Sequence, residues 1–182
     1  MAENKSTQKI KKLLEDIQST DEKKISKAVK SLESHGNTTV IKPLANRLLS
    51  PISEKNKTEI LELFSSLKDS SACVEVMEII EDEKFRSIRQ WMLSTIWNTK
   101  VDFSGYIDEF VLIATQGDFM EAMDCLTIIE NLEGPFMEED LLECELHLKN
   151  YVESNPEKDE QKEYILSEIA IKLKDINASL MD

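Results

Sequence analysis

Apolar residues recur at every third or fourth position along most of the chain, and this period constrains the fold more than any other feature. The segment from 21 to 49 shows the pattern most clearly, as two amphipathic helices joined by a turn at Gly36. The residues that form the two apolar stripes are Ile25, Ala28, Val29 and Leu32 in the first helix, and Val40, Ile41, Leu44, Leu48 and Leu49 in the second. The segment is therefore predicted to be a helical hairpin.

A single helical hairpin leaves one apolar flank in water, so further hairpins are expected to stack against it. Comparable positions at Leu32, Leu67, Ile96 and Ile129 are separated by steps of 35, 29 and 33 residues. No stretch alternates as a β-strand does. The sequence therefore predicts an all-α solenoid of about ten helices, arranged as about four hairpins with a capping helix at each end.

We expect one domain over residues 1–182, with an N-terminal cap at 1–20, four hairpins at 21–154 and a C-terminal capping helix at 155–182. Asn155 and Pro156 predict the start of the last helix, because a capping residue followed by proline favours the first helical turn. The side chains predicted to point inward are those of Tyr164, Ile165, Ile169 and Leu173, and those predicted to point outward are Glu157, Lys158, Glu160 and Lys162.

Several segments repeat loosely along the chain, namely KAVKSLESHG, LELFSSLKD, WMLSTIWNT and CLTIIENLE, while VIKPLANRLL looks like the second helix of a repeat unit. On these segments the chain resembles the HEAT-repeat and HEAT-like (armadillo-type) family across nearly its whole length. The tetratricopeptide pattern of small and aromatic residues is not visible. The resemblance implies a right-handed α-α superhelix whose second helices line the concave face.

Charge is distributed unevenly along the chain, whose formal net charge is −14. Residues 1–60 contain 12 Lys and Arg against 8 Asp and Glu, whereas residues 61–182 contain 10 against 28. Between Lys100 and Lys149 there are 13 acidic residues and no basic one. Such a field repels nucleic-acid phosphates and anionic lipids, and it attracts basic protein surfaces.

The location of the protein is inferred from features that the sequence lacks. No apolar run approaches the roughly 20 residues that cross a bilayer, and the first residues do not resemble a secretory signal. Cys73, Cys125 and Cys144 are odd in number and widely spaced, which favours structural thiols in a reducing compartment. We therefore expect a cytoplasmic protein that binds neither nucleic acid nor membranes.

Candidate chemical sites are few. His35 and His147 are the only histidines, and Glu143, Cys144 and His147 form the sharpest candidate metal site. A glutamate and a histidine one turn apart are more often a modest surface contact. No two glycines lie close enough for a phosphate-binding loop. The sequence thus predicts no catalytic residue, no metal ligand and no cofactor.

Two further features have both a structural and a functional interpretation. The acidic run Glu138, Glu139 and Asp140 would suit paired catalytic carboxylates. Acidic residues in a first helical turn, however, more often stabilise the partial positive charge at the N-terminal end of that helix. Trp91 and Trp97 would suit an aromatic recognition patch, but packing in the core is expected for at least one of them.

The preferred function is a non-enzymatic scaffold that binds a partner protein, in particular a basic segment, through an acidic curved face. The expected contact residues are Asp108, Glu109, Glu138, Glu139 and Glu143. One alternative is a HEAT-like enzyme of the alkylpurine DNA glycosylase type, which the acidic charge disfavours because such enzymes grip DNA in a basic groove. Another is a structural subunit of a larger assembly, with a second copy covering an apolar flank. The sequence does not predict the oligomeric state.

Overall fold

The computed structural model of the chain describes residues 5–35, 37–154 and 159–180. These residues form ten α-helices joined by loops and short 3-10 turns, and none of them belongs to a strand. The helices are α1 Lys5–Ile17, α2 Glu22–His35, α3 Ile41–Leu48, α4 Glu54–Ser65, α5 Ala72–Glu81, α6 Arg89–Ile96, α7 Ile107–Gln116, α8 Phe119–Asn131, α9 Glu138–Ser154 and α10 Glu160–Leu180. The all-α prediction is confirmed.

Side-chain caps fix where several helices begin. Asp21 precedes α2 and accepts a hydrogen bond from the Lys23 backbone N–H at 2.9 Å. Ser53 caps α4, as its sequence position predicts, by accepting from a backbone N–H three residues later. Asp118 begins α8 through a capping box with Glu121. Each cap satisfies backbone donors that a helix start leaves unpaired, so the polar residues between the apolar stripes set the helix boundaries.

Contacts divide the chain into two compact units, Met1–Val101 and Asp102–Asp182. In the first unit α2 packs against α4 and α4 against α6, while α3 packs against α5. In the second unit α7 packs against α8 and α9, and α10 packs against α8 and α9. Within each unit a helix thus contacts the one two places further along the chain. The single domain over residues 1–182 stays a prediction.

Apolar burial holds each unit together. All the predicted stripe residues of the first hairpin are buried except Leu49, which is half-buried. Phe103 and Phe110 are buried in the second unit with their rings edge to face, 6.3 Å between centroids. Burying one such side chain contributes about 1.5–3 kcal/mol. An ion pair such as Lys57–Glu54, whose glutamate side chain is 84% exposed, contributes at most about 1 kcal/mol. The apolar stripes therefore dominate the stability.

A polar network lies between α2 and α4 in the first unit. The Asn56 side chain is fully buried, and its Nδ2 donates to Ser26 Oγ at 2.9 Å and to Glu59 Oε2 at 3.0 Å. Burial alone would raise the pKa of Glu59, but hydrogen bonds from Ser26 and Asn56 outweigh it and lower that pKa. The network gives the α2–α4 contact a specific register in addition to its apolar packing.

The last helix differs from its predicted orientation at two positions. Ile165, Ile169 and Leu173 are buried as expected, but Tyr164 is 65% exposed and Lys162 is buried. At about 100° per residue, the buried residues of α10 form one face that includes Lys162, whereas Tyr164 falls on the opposite side. The prediction was wrong for both residues.

Some predictions fall on residues that are not described. The predicted stop at Gly36, the start signal at Asn155 and Pro156, and the outward positions of Glu157 and Lys158 lie outside the described residues. Among the helices that are described, none is both long and apolar enough to cross a membrane.

Candidate functional site

Acidic side chains occupy the first turns of two helices that pack against each other in the second unit. Asp108 and Glu109 begin α7, while Glu138, Glu139 and Asp140 begin α9. Carboxylates are favourable there because the N-terminal end of a helix carries partial positive charge. The helices α7 and α9 contact each other, and Asp108 of one turn lies close enough to Asp140 of the other for their carboxylates to interact.

Carboxylates of the two acidic turns interact electrostatically. Burial raises the pKa of Asp140, and the nearby carboxylates of Asp108 and Glu139 raise it further. Burial also raises the pKa of the Cys144 thiol to about 12, again with contributions from Asp108 and Asp140. Like charges on the two helices therefore interact across the α7–α9 contact, and the thiol is neutral at physiological pH.

The five expected contact residues all lie on α7 and α9, but they are not equally accessible. Glu138, Glu139 and Glu143 are exposed, whereas Asp108 and Glu109 are half-buried. The exposed three are able to contact a partner directly. The half-buried pair adds negative charge but offers less accessible surface, and we name these five residues the acidic surface.

The charge asymmetry of the sequence coincides with the division into units. Residues 102–182 hold 5 Lys and Arg against 21 Asp and Glu, a net charge of −16. Residues 1–101 hold 17 against 15, a net charge of +2. One of the few cations of the second unit, Lys162, is buried and does not neutralise its surface. The acidic surface therefore lies in the unit that carries the whole net charge.

The candidate metal site is not assembled. Cys144 is buried, Glu143 is exposed and His147 is half-buried. Throughout the described ranges, no three His, Cys, Asp or Glu side chains converge so as to hold a metal ion.

Neither tryptophan lies fully in the core. Trp91 is half-buried beneath the ammonium of Lys57, whose Nζ lies 4.6 Å from the ring centroid. Trp97 is 46% exposed. The structure thus buries Trp91 in part and leaves Trp97 largely exposed, and the ammonium of Lys57 lies over the ring of Trp91.

Sequence reasoning missed three side chains that matter on this unit. Asp140 was assigned only to the helix start, although partial burial and the neighbouring carboxylates raise its pKa. Leu142 and Leu146 are apolar but 59% and 46% exposed. Their spacing of four residues on an otherwise acidic helix was the available signal, but a leucine pair usually indicates a core face.

No protein-family model, curated protein or solved structure matches the chain.

Proposed function

We propose that this protein is a non-enzymatic helical-repeat scaffold, of the HEAT-like kind, that binds a basic segment of a partner protein through the acidic surface. The observation that carries this proposal is that α7 and α9, which both begin with acidic residues, pack against each other in a unit of net charge −16. The cytoplasm is its proposed location, which fits three cysteines that form no disulfide, two of them buried.

The repeat part of the proposal is supported by the packing of alternate helices. In the first unit α2, α4 and α6 contact in succession, and in the second unit α7 contacts α9 and α8 contacts α10. Contacts between helices two places apart are expected when hairpins stack side by side. On this proposal α7 and α9 are second helices and belong to the concave face.

The partner is proposed to be basic because attraction over distance is the main property of this surface. Exposed carboxylates with no Lys or Arg between Lys100 and Lys149 raise the local concentration of a basic partner and speed its association. The same field repels phosphate, so it disfavours the DNA-binding alternative.

The test is a pull-down from native lysate with the full chain as bait, at about 50 mM and about 500 mM salt. The wild type is compared with a variant carrying Glu138→Gln, Glu139→Gln and Glu143→Gln. The matched control carries Glu33→Gln, Glu78→Gln and Glu83→Gln, which neutralise three exposed glutamates of the first unit.

We expect the wild type and the control to retain a protein with a basic segment at low salt and to release it at high salt. The first variant should bind it about tenfold more weakly, because three exposed charge pairs contribute up to about 1 kcal/mol each. If all three baits retain the same proteins, or none retains a basic protein, the proposal is wrong.

A further inference from the structure

The helix α9 is apolar on two opposite sides. Its inner side contributes Leu141 and Cys144 to the core of the second unit. Its outer side carries Leu142 and Leu146, which are one turn apart and are 59% and 46% exposed. Together these two leucines present an apolar strip to water, on the side of α9 that faces away from Leu141 and Cys144.

Glutamates border the strip on both sides. At about 100° per residue, Glu138 and Glu145 fall on one flank of the leucines and Glu139 and Glu143 on the other. All four are exposed. The nearest basic residue along the helix is Lys149, and its Nζ lies 4.0 Å from Oε1 of Glu153. We name Leu142, Leu146 and these four glutamates the leucine face.

We infer that the leucine face docks an amphipathic helix of a partner protein whose apolar stripe is bordered by Lys or Arg. This inference rests on the proposed function and adds to it an apolar contact and a helical partner. Exposed leucines four residues apart match the spacing of apolar residues at i and i+3 or i+4 on a second helix. The flanking carboxylates then meet basic side chains on both sides of that stripe.

Charge complementarity selects this occupant over a second copy of the chain. Two copies joined through α9 would place eight exposed glutamates of two units of net charge −16 against each other. Such like-charge contact is costly, whereas a basic helix removes the repulsion and buries the same leucines.

The glutamates and the leucines of the leucine face contribute to binding in ways that differ in their dependence on salt. Attraction by the glutamates falls as salt screens it, with a Debye length of about 10 Å at 0.1 M. Burial of the leucines does not depend on screening, and it depends on whether the partner presents its apolar residues as one stripe.

The experiment measures fluorescence anisotropy of two labelled peptides, each of about 16 leucines and lysines, titrated with the full chain. Both peptides have the same composition, but one has its leucines at i, i+3, i+4 and i+7 and the other has them shuffled. The test variant carries Leu142→Gln and Leu146→Gln, since glutamine keeps a helix propensity close to that of leucine. The control carries Val74→Gln and Ile171→Gln, which change residues that are 49% and 53% exposed. Far-UV circular dichroism verifies that each protein is folded, and the single leucine variants serve if the double variant is not.

We expect the wild type and the control to bind the patterned peptide about tenfold more tightly than the shuffled one. The leucine variant should lose this difference and keep its affinity for the shuffled peptide. Equal affinity for both peptides, or an unchanged preference in the leucine variant, overturns the inference while charge-driven binding still supports the proposed function. If neither peptide binds, or if Glu138→Gln, Glu139→Gln and Glu143→Gln together have no effect, both the inference and the proposed function are wrong.

Discussion

The ammonium group of Lys162 closes the C-terminal end of α7. Its Nζ donates to the Thr115 carbonyl at 2.8 Å and to the Gly117 carbonyl at 2.7 Å. It also lies 5.0 Å from the centroid of the Tyr151 ring. The last carbonyls of a helix lack intrahelical donors, and a cation is the most favourable group to satisfy them. Lys162 thus ties α10 to the junction between α7 and α8.

Lys162→Met should lower the free energy of unfolding by about 2–3 kcal/mol. Methionine keeps the length of the side chain but leaves two carbonyls without a charged donor, and hydrogen bonds to charged groups contribute about 1.5–3 kcal/mol. Urea denaturation of the full chain measures the change, with Lys174→Met as the control because Lys174 is exposed on the same helix. Equal stability of the two variants would show that the buried ammonium contributes nothing.

Asp140 should make the stability depend on pH. Burial and the charges of Asp108 and Glu139 raise its pKa in the folded state, so the folded protein holds this proton more tightly than the unfolded chain. Protonated Asp140 therefore contributes to the free energy of unfolding. This contribution is fully present below the pKa that Asp140 has in the unfolded chain, and it is lost as pH rises through the pKa in the folded protein.

We accordingly expect Asp140→Asn to be more stable than the wild type at pH 7, by roughly a few tenths of a kcal/mol. The difference should shrink as pH falls and the wild-type carboxyl becomes neutral like the amide. Urea denaturation of both proteins between about pH 4 and pH 7 measures it. If the stability difference between the two proteins grows on acidification, the pKa of Asp140 is not raised in the folded state.

At the scale of the element, Gly117 allows α7 and α8 to follow each other with almost no loop. A Cβ at Gly117 would lie 2.8 Å from the Cβ of Glu121 and 2.9 Å from the Ile113 carbonyl oxygen, and it would overlap the Glu121 carboxylate. That carboxylate accepts from the Asp118 backbone N–H in the capping box of α8. Glycine is needed here for close approach, since its backbone has an ordinary negative φ of −76°.

Gly117→Ala should destabilise the protein by about 1–3 kcal/mol, because overpacking a tight site displaces side chains or backbone. Gly105→Ala is the matched control, since nothing lies within 4 Å of a Cβ added there. The control should be neutral or slightly stabilised through the lower entropy of its unfolded state. Thermal unfolding of both variants measures this, and equal melting temperatures would contradict the steric explanation.

The helix α9 shows how far a pattern within one element predicts a site. Its first turn was recognisable from three consecutive acidic residues, and the structure places them beside α7. Val152 falls on the same side of α9 as the buried Leu141, yet it is 72% exposed, whereas Cys144 is buried. A helix with leucines on both sides offers two possible inner faces, and the packing of α7 selects one of them.

At the scale of the whole chain, charge and stability oppose each other. The second unit holds 21 acidic residues against 5 basic ones, so its carboxylates repel one another in the folded state. Raising salt from about 20 mM to about 500 mM should therefore raise the melting temperature, by about 3 °C for a gain near 1 kcal/mol.

Neutralising the four glutamates of the leucine face should reduce this salt effect, because part of the repulsion is already removed. Thermal unfolding followed by circular dichroism compares the variant with the wild type at both salt concentrations. A melting temperature that is constant or falls with salt would mean that attractive pairs outweigh the repulsion.

The sequence by itself determined the helices, most of the core and the location of the negative charge. These features are local: a period of 3.6 marks the apolar stripe, a cap marks the start of a helix, and charge is counted directly. Ile25, Leu32 and Phe110 could be assigned to the core because their neighbours in the sequence already define one apolar side.

Only the tertiary structure decided what fills the spaces between helices. Lys162 is buried because the carbonyls of Thr115 and Gly117, more than 40 residues away in sequence, require a donor at that point. The pKa of Asp140 is raised because burial desolvates its carboxylate and because α7 brings the Asp108 carboxylate close to it. Leu142 and Leu146 are exposed because α7 packs against the other side of α9. Each outcome depends on a neighbour that is distant along the chain, and no local pattern specifies that neighbour.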